Sequence, residues 1–150
     1  MIEKIISGGQ TGVDRAALDA AIELGILCGG WCPKGRRAEN GVIPERYPLR
    51  ETNSEDYRDR TARNVRDADG TLILARGALE GGTAFTRRLA IREGKPCLVI
   101  DLSVNTEPQI VHDWLKTHAI RTLNIAGPRE SVQPGIHEQA RYFLRELLGS

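Results

Sequence analysis

The chain has 150 residues, of which 40% are apolar and 27% are charged, values typical of one globular domain. Its 21 basic and 20 acidic residues leave a formal net charge of +1, which argues against nucleic acid or a membrane surface as a partner. The three cysteines are irregularly spaced and odd in number, which is typical of a reducing compartment, so we expect a cytoplasmic protein.

Strand-like and helix-like segments alternate along the first half of the chain. Residues 4–7 form a short apolar run that stops at two glycines, and residues 13–24 carry apolar side chains at helical spacing. A second short strand is predicted over 27–31. The prolines and glycines of residues 33–52 oppose regular structure, and a connection of that length is often functional. Ser54 and Asp56 could begin a helix, which is predicted to run to about residue 67.

The second half of the chain contains three further strand-and-helix units. The apolar runs 71–75, 97–100 and 123–126 predict buried strands, and each precedes a segment of helical periodicity. Strands that are apolar on both faces and separated by helices indicate a parallel sheet covered on both sides. We therefore predict an α/β fold, with a doubly wound, mostly parallel, five-stranded, Rossmann-like sheet in a single domain over 1–150.

Two of the predicted strands end in glycine-rich turns, 8–12 and 81–83, that lead into helices. Glycine lets a ligand approach the backbone closely, and the N-terminus of the following helix favours a phosphate. Taken alone, either glycine turn could instead be an ordinary strand-to-helix turn that binds no ligand. With a strand order of 2-1-3-4-5, the strands that end at Ser7 and Ala75 would be neighbours, and both turns would face one crevice. A side chain at Gly9, as in Gly9→Val, would then occupy the space of the anion.

Neither turn matches a common nucleotide-binding fingerprint. The first turn lacks the Gly-Lys-Ser/Thr ending of a P-loop, and the dinucleotide pattern G-x-G-x-x-G is absent. An ATPase or a nicotinamide-dependent dehydrogenase of the usual kind is therefore not expected. The cysteines and histidines lack the spacing of a metal site, and we predict structural roles for them and no bound metal.

Three other segments could contribute to the crevice. Lys34, Gly35 and Arg36 lie in the long loop and could clamp an anion, although a solvated loop is the alternative. Tyr57, Arg60, Thr61 and Asn64 fall on one stripe of a helix, which is either a ligand-facing wall or an exposed face. The last strand leads into Ala126-Gly127-Pro128-Arg129-Glu130-Ser131, where Arg129 and Ser131 could contact a second polar group.

The residues predicted to bind the ligand come from these segments. They are Gly8, Gly9, Gln10, Thr11, Gly12, Asp14, Arg15, Lys34, Gly35, Arg36, Arg60, Asn64, Gly81, Gly82, Thr83, Thr86, Arg129 and Ser131.

Several blocks of the sequence resemble the family of putative molybdenum carrier proteins. These blocks are residues 8–19, 30–36, 47–52, 60–65, 69–73, 81–83 and 126–131. The resemblance covers nearly the whole chain and implies a Rossmann-like fold that binds the molybdenum cofactor, a pterin bearing a phosphate (molybdopterin). A wider similarity to cytokinin-activating phosphoribohydrolases, grouped with lysine-decarboxylase-like proteins, implies a nucleotide-type ligand. Thr86 stands where those hydrolases carry a catalytic Glu, so the resemblance argues against their hydrolase activity and favours binding over catalysis.

Three hypotheses about function follow. The first is a binding or carrier protein for a phosphate-bearing cofactor, with molybdenum cofactor as the ligand that the resemblance implies. The second is an enzyme that acts on a nucleotide or a nucleotide-derived metabolite and uses Asp14, Glu39 or Arg60. The third is a nucleotide-ligand sensor whose ligand controls a partner or a homo-oligomer.

Overall fold

The computed structural model describes residues 1–104 and 106–149, so residues 105 and 150 of the predicted 1–150 domain lie outside it. The strands are β1 Lys4–Ile6, β2 Leu27–Gly29, β3 Trp31–Cys32, β4 Arg37–Ala38, β5 Gly41–Val42, β6 Arg50–Glu51, β7 Gly70–Ala75, β8 Cys97–Asp101 and β9 Thr122–Ala126. The helices are α1 Val13–Glu23, α2 Tyr57–Asp67, α3 Gly81–Arg92, α4 Pro108–Thr117 and α5 Ile136–Leu148.

The central sheet has five strands, all parallel, in the order β2-β1-β9-β7-β8. The predicted α/β class is confirmed, and so is the doubly wound, Rossmann-like arrangement. The predicted order 2-1-3-4-5 is wrong, because β9 lies between β1 and β7. In register, Ile5 of β1 faces Leu123 of β9, and Ala126 of β9 faces Ile73 of β7.

The strand order matches a common α/β arrangement when the strands are numbered from β9. Counted from there along the chain and returning to β1, the sheet reads 3-2-1-4-5, the order of the usual dinucleotide-binding half-fold. The point where this order reverses lies between β9 and β7. Open α/β sheets bind their ligands outside the carboxyl ends of the strands at such a point. The topology therefore directs attention to the segments that follow Ala75 and Ala126.

The largest apolar core lies between the sheet and the helices α1, α4 and α5, which pack on one another. It includes Ile5, Leu72, Leu123 and Ile125 from the strands, all fully buried. A smaller cluster, built around Val65 and Leu89, joins α2 to α3. Helices therefore cover both faces of the sheet, α1, α4 and α5 on one and α2 and α3 on the other. Strands buried on both faces, such as β7 and β9, have continuous apolar runs in the sequence.

Residues 33–52 contain more structure than predicted. They hold the hairpin β4–β5 and the strand β6, which pairs with β3 in parallel. Ile43, Tyr47 and Leu49 from this segment pack with Leu18 of α1 in a third apolar cluster. Burial of these side chains on the outside of α1 fixes the loop to the body of the protein.

Within the described residues, no helix combines the length and the apolar character that a membrane span requires.

Candidate functional site

A cleft of about 350 Å³ opens at the carboxyl edge of the sheet, beside the ends of β9 and β7. The turn after β1, the helix α2, the first turns of α3 and the segment after β9 form its walls. The cleft therefore lies where the strand order reverses, as expected for a ligand site in an open α/β sheet.

The structure brings many of the predicted ligand-binding residues together in this cleft. Those that line it are Gly8, Gln10, Asp14, Arg60, Asn64, Gly81, Gly82, Thr83, Thr86 and Arg129. Those that lie outside its lining are Gly9, Thr11, Gly12, Arg15, Lys34, Gly35, Arg36 and Ser131.

The backbone at the N-terminus of α3 is open to the cleft. In the described part of the chain, no group accepts a hydrogen bond from the backbone N–H of Gly81 or of Gly82, and Glu80 provides no side-chain cap. A Cβ on either glycine would meet no atom within 4 Å. Free N–H groups at the positive end of a helix dipole favour a negatively charged group.

The first glycine turn is closed by its own hydrogen bonds. The Gly9 N–H donates to Ser7 Oγ at 3.4 Å, the Gln10 N–H to Asp14 Oδ2 at 3.3 Å, and the Thr11 N–H to Gln10 Oε1 at 3.0 Å. These donors are not available to a phosphate. The turn contributes Gly8, Gln10 and Asp14 to the wall of the cleft, and its other residues hold that wall in place.

Gly9 faces away from the cleft, so the expected effect of Gly9→Val on the anion space is wrong. The residue has a φ of +80°, and an added Cβ would overlap Leu49 and meet Ile43 at 3.1 Å. A side chain there would enter the apolar cluster under residues 33–52. Gly9 is required for packing and for its left-handed backbone.

Arg60 and Asp14 form a buried ion pair on the floor of the cleft. Arg60 is 9% exposed and Asp14 is 6% exposed. Arg60 Nη1 lies 3.6 Å from Asp14 Oδ2 and donates a hydrogen bond of 2.7 Å to the carbonyl oxygen of Gly8. Burial raises the pKa of Asp14 from 3.8 to about 6, against the opposing effect of the Arg60 guanidinium.

Asp14 makes the stability of the protein depend on pH in an uncommon direction. Because its folded-state pKa is raised, its contribution is complete below about pH 4 and is lost as the pH rises through 6. We expect the free energy of unfolding of the wild-type protein, relative to Asp14→Asn, to fall by on the order of 3 kcal/mol between pH 4 and pH 7. Urea denaturation of both proteins across this range measures the difference. A constant difference would contradict the raised pKa.

The predicted stripe of α2 faces the cleft and is not an exposed face. All four of its residues line the cleft: Tyr57, Arg60, Thr61 and Asn64. The amide of Asn64 is already used, since its Oδ1 accepts from the Trp31 N–H at 2.8 Å and its Nδ2 donates to the Trp31 oxygen at 3.0 Å. Thr61 Oγ1 accepts from Arg60 Nε at 3.2 Å. Asn64 therefore supports the loop behind the cleft, and Thr61 orients Arg60.

The predicted basic clamp at Lys34, Gly35 and Arg36 does not reach the cleft. Lys34 and Gly35 are exposed on the hairpin side of the molecule. Arg36 donates hydrogen bonds to four backbone oxygens of its own loop, those of Ile43, Pro44, Tyr47 and Leu49. The guanidinium therefore satisfies backbone carbonyl groups that have no strand partner in this proline-rich loop.

A carboxylate outside the cleft joins three loops. Glu39 accepts hydrogen bonds from Thr11 Oγ1 and Ser131 Oγ, and from the Ser131 N–H at 3.2 Å. Arg129 Nη1 lies 3.9 Å from it. Desolvation opposes ionisation of Glu39, but the bonds from Ser131 and Thr11 prevail and lower its pKa. Thr11 and Ser131 therefore bind Glu39, which positions Arg129 at the cleft.

The other predicted residues outside the lining have structural roles as well. Arg15 donates to the Gly9 oxygen at 3.0 Å and to Asn40 Oδ1 at 3.0 Å. Gly12 has a φ of +80°, and a Cβ there would overlap the Pro128 oxygen. Inside the cleft, Thr86 Oγ1 donates to the Gly82 oxygen at 2.9 Å, within the first turns of α3.

Several residues of the cleft were not in the final set of predicted ligand-binding residues, although Tyr57 and Thr61 belong to the predicted stripe of α2 and residues 126–128 to a segment predicted near the crevice. They are Tyr57, Arg58, Thr61, Ala78, Glu80, Phe85, Asn124, Ile125, Ala126, Gly127, Pro128, Val132 and Gln133. Asn124 is the most informative, because it is 3% exposed and its Nδ2 donates to Thr71 Oγ1 at 3.2 Å on the neighbouring strand. An amide in the middle of the apolar run 123–126 was the signal that could have revealed it.

Comparison with known proteins agrees with this fold. The family model of the circularly permutated YpsA SLOG family matches residues 5–148, and the chain belongs to this family. A crystal structure of a protein from Syntrophus aciditrophicus SB, described as a putative molybdenum carrier protein, is 49% identical with a TM-score of 0.95. The match covers 99% of this chain and 96% of that one. Among curated proteins, none matches this chain.

The resemblance to molybdenum carrier proteins is confirmed by this structural neighbour. The permutation in the family description accounts for the strand order, since the sheet has the usual order when it is counted from β9.

Proposed function

We propose that the protein binds a small molecule that carries a phosphate and a planar ring, and that it holds this molecule in the cleft between β7 and β9. The observation that carries the proposal is the α3 N-terminus, where Gly81 and Gly82 line the cleft and their N–H groups have no acceptor among residues 1–104 and 106–149. Arg60 and Arg129 line the same space and add positive charge. This combination suits a phosphate group.

The remainder of the cleft suits a ring. Tyr57 and Phe85 line it and add aromatic surface beside a planar group, and the guanidinium groups of Arg37 and Arg60 lie 5.2 Å and 5.4 Å from the centre of the Tyr57 ring. Asn124 adds an amide from the middle of the central strand β9, where one hydrogen bond to a ring substituent fixes the orientation of a ligand. A volume of about 350 Å³ lies at the lower end of the usual range for small-molecule sites.

Molybdenum cofactor is the ligand that we propose first, because it joins a phosphate to a pterin ring and because the similar crystal structure is described as a molybdenum carrier protein. A nucleotide has the same two chemical parts. Isothermal titration of the purified protein with molybdenum cofactor and with nucleoside monophosphates tests the proposal. Saturable binding of the cofactor supports a carrier. If only nucleotides bind, the ligand is a nucleotide and not molybdenum cofactor. If neither binds, the proposed function is refuted.

Removal of Arg129 separates ligand binding from folding. The Arg129 side chain is 44% exposed, so Arg129→Ala leaves the core intact, and we expect the affinity for a phosphate-bearing ligand to fall by about tenfold as one charge-assisted contact is lost. Arg121→Ala, which removes an arginine that is 75% exposed and paired with Glu3, is the matched control and should bind normally. Equal affinity of the two variants would exclude Arg129 from the site.

A second candidate function is supported by one observation. Asp14 lines the cleft, and its pKa of about 6 is close to the value that a general acid or base requires near neutral pH. An enzyme that releases the base from a nucleoside monophosphate would use such a group. Glu39, the other acid considered from the sequence, is engaged by Thr11 and Ser131. Release of free base by the wild-type protein and its loss in Asp14→Asn would establish the enzyme.

We further propose that the protein works in the cytoplasm as a homo-oligomer. Cys28, Cys32 and Cys97 are all free thiols, which supports a reducing compartment. Light scattering with and without ligand measures the oligomeric state and tests a sensor role.

A further inference from the structure

Arg60 keeps one of its donors for the cleft. Its Nε donates to Thr61 Oγ1 and its Nη1 to the Gly8 oxygen, while Nη1 also faces Asp14. Within the described ranges, nothing accepts a hydrogen bond from Nη2, and no fully buried side-chain nitrogen or oxygen lacks a partner, so Nη2 is not fully buried. Since Arg60 lines the cleft, Nη2 is available to a ligand there.

Asp14 contacts the same guanidinium through Nη1. Its Oδ2 accepts from the Gln10 N–H, while Oδ1 accepts no hydrogen bond from the described residues. Arg15, on the same helix, also lowers the pKa of Asp14. The charged side chains that line the cleft around Asp14 come from α2, the start of α3 and the segment after β9: Arg58 and Arg60, Glu80, and Arg129.

We propose that Asp14 takes up one proton from solvent when an anion binds beside Arg60, so that the cleft binds its ligand together with a proton and releases both together. This inference rests on the proposed function. It identifies Asp14 as the residue that sets the charge of the ligand that the cleft accepts.

The physical reason is the competition of two anions for one buried guanidinium. With no ligand bound, the carboxylate of Asp14 balances Arg60 at 3.6 Å. A phosphate that approaches Nη2 places a second negative charge in the same poorly solvated space, and like charges there disfavour each other's ionised forms. Protonation of a carboxylate oxygen of Asp14 removes the repulsion and leaves Arg60 to the ligand. Burial already raises the pKa of this carboxyl to about 6, so the proton is taken up from water near neutral pH.

The test measures the affinity for adenosine 5′-monophosphate from pH 5.5 to pH 8 in wild-type protein, Asp14→Asn and Asp113→Asn. Adenosine monophosphate titrates itself in this range, so the ratio of the wild-type Kd to the Asp14→Asn Kd is the quantity compared. We expect this ratio to rise by about tenfold per pH unit above pH 6, the slope for one linked proton. Asp113 is an exposed acid on α4, and its variant should follow the wild type.

A ratio that stays constant with pH would overturn the proton uptake while the proposed function stands. Absence of saturable binding of adenosine monophosphate and of sulfate to the wild-type protein at pH 5.5 would overturn the inference, and the proposed function would be overturned as well if molybdenum cofactor also failed to bind. A variant that fails to fold does not decide the matter, because the ¹³Cγ signal of Asp14 reports its titration in the wild-type protein. Its midpoint should move to higher pH when sulfate is added, and an unmoved midpoint with sulfate bound would also refute the inference.

Discussion

Replacement of Gly127 by alanine is expected to destabilise the protein by about 3 kcal/mol or more, the upper part of the range for overpacked sites. A Cβ on Gly127 would overlap the carbonyl oxygen of Leu74 and would lie 2.6 Å from Val13 Cγ2. The overlap involves backbone of β7, which cannot move without displacing the central sheet. Urea denaturation followed by circular dichroism measures the loss.

Gly82→Ala is the matched control for this prediction. It makes the same chemical change at another glycine of the cleft, but a Cβ there meets no atom within 4 Å. The residue lies in the first turn of α3, where alanine favours the helix by up to about 1 kcal/mol relative to glycine. We expect stability to be unchanged or slightly increased. Equal effects of the two substitutions would show that the contact with Leu74 does not limit the fold.

Arg60→Ala is expected to cost about 3–5 kcal/mol at pH 7.5, the range for removing one partner of a buried ion pair. The substitution leaves the Asp14 carboxylate buried and removes the hydrogen bond to the Gly8 oxygen. The penalty should shrink below pH 5, where Asp14 is protonated and needs no counter-charge. Chemical denaturation at both pH values provides the comparison.

Two further variants separate the ion pair from other effects of Arg60. Arg58→Ala removes an arginine from the same helix whose side chain is 74% exposed and pairs with Asp56 at the surface. We expect a change of at most about 0.5 kcal/mol, as is usual for exposed pairs. Asp14→Asn combined with Arg60→Ala should be more stable than Arg60→Ala alone. If the double variant is equally unstable, the buried charge is not the source of the penalty.

The helices and strands could be predicted from the sequence because each apolar run has clear limits. Glycines end β1 and α1, and the fully buried β7 appears as a continuous run over 70–75. The predicted strand 27–31 joins β2 to the start of β3, and the short strands β4 to β6 were missed, since two-residue strands have no periodicity to detect. Their positions depend on Arg36, whose bonds to four carbonyls cannot be inferred from spacing.

The strand order could not be predicted because it depends on pairing between distant segments. Both β1 and β9 are short and apolar, and nothing local shows that β9 enters the sheet between β1 and β7. The structure nevertheless contains a cleft at the expected edge of the sheet, because the turns after β1, β7 and β9 all lie at the carboxyl edge. The cleft is centred beside β9, whereas the predicted strand order placed it beside β1.

The candidate site was predicted in part for a similar reason. Residue types and helical spacing placed Arg60 and Asn64 on the cleft-facing side of α2, but the bonds from Asn64 to Trp31 depend on the loop that α2 covers. Gly8 and Gly9 are adjacent in the sequence and face opposite ways. Only the backbone angles of the folded turn distinguish the glycine beside Arg60 from the one beside Leu49.

The place of β9 in the sheet has a consequence for the order in which the protein can be built. During synthesis β1, β2, β7 and β8 leave the ribosome before β9. In the folded sheet β9 lies between the pair β1–β2 and the pair β7–β8. The two halves of the sheet cannot unite until then, so a nascent chain that lacks the last thirty or so residues exposes the facing edges of β1 and β7. The cleft is assembled last, by the segment that also supplies Arg129.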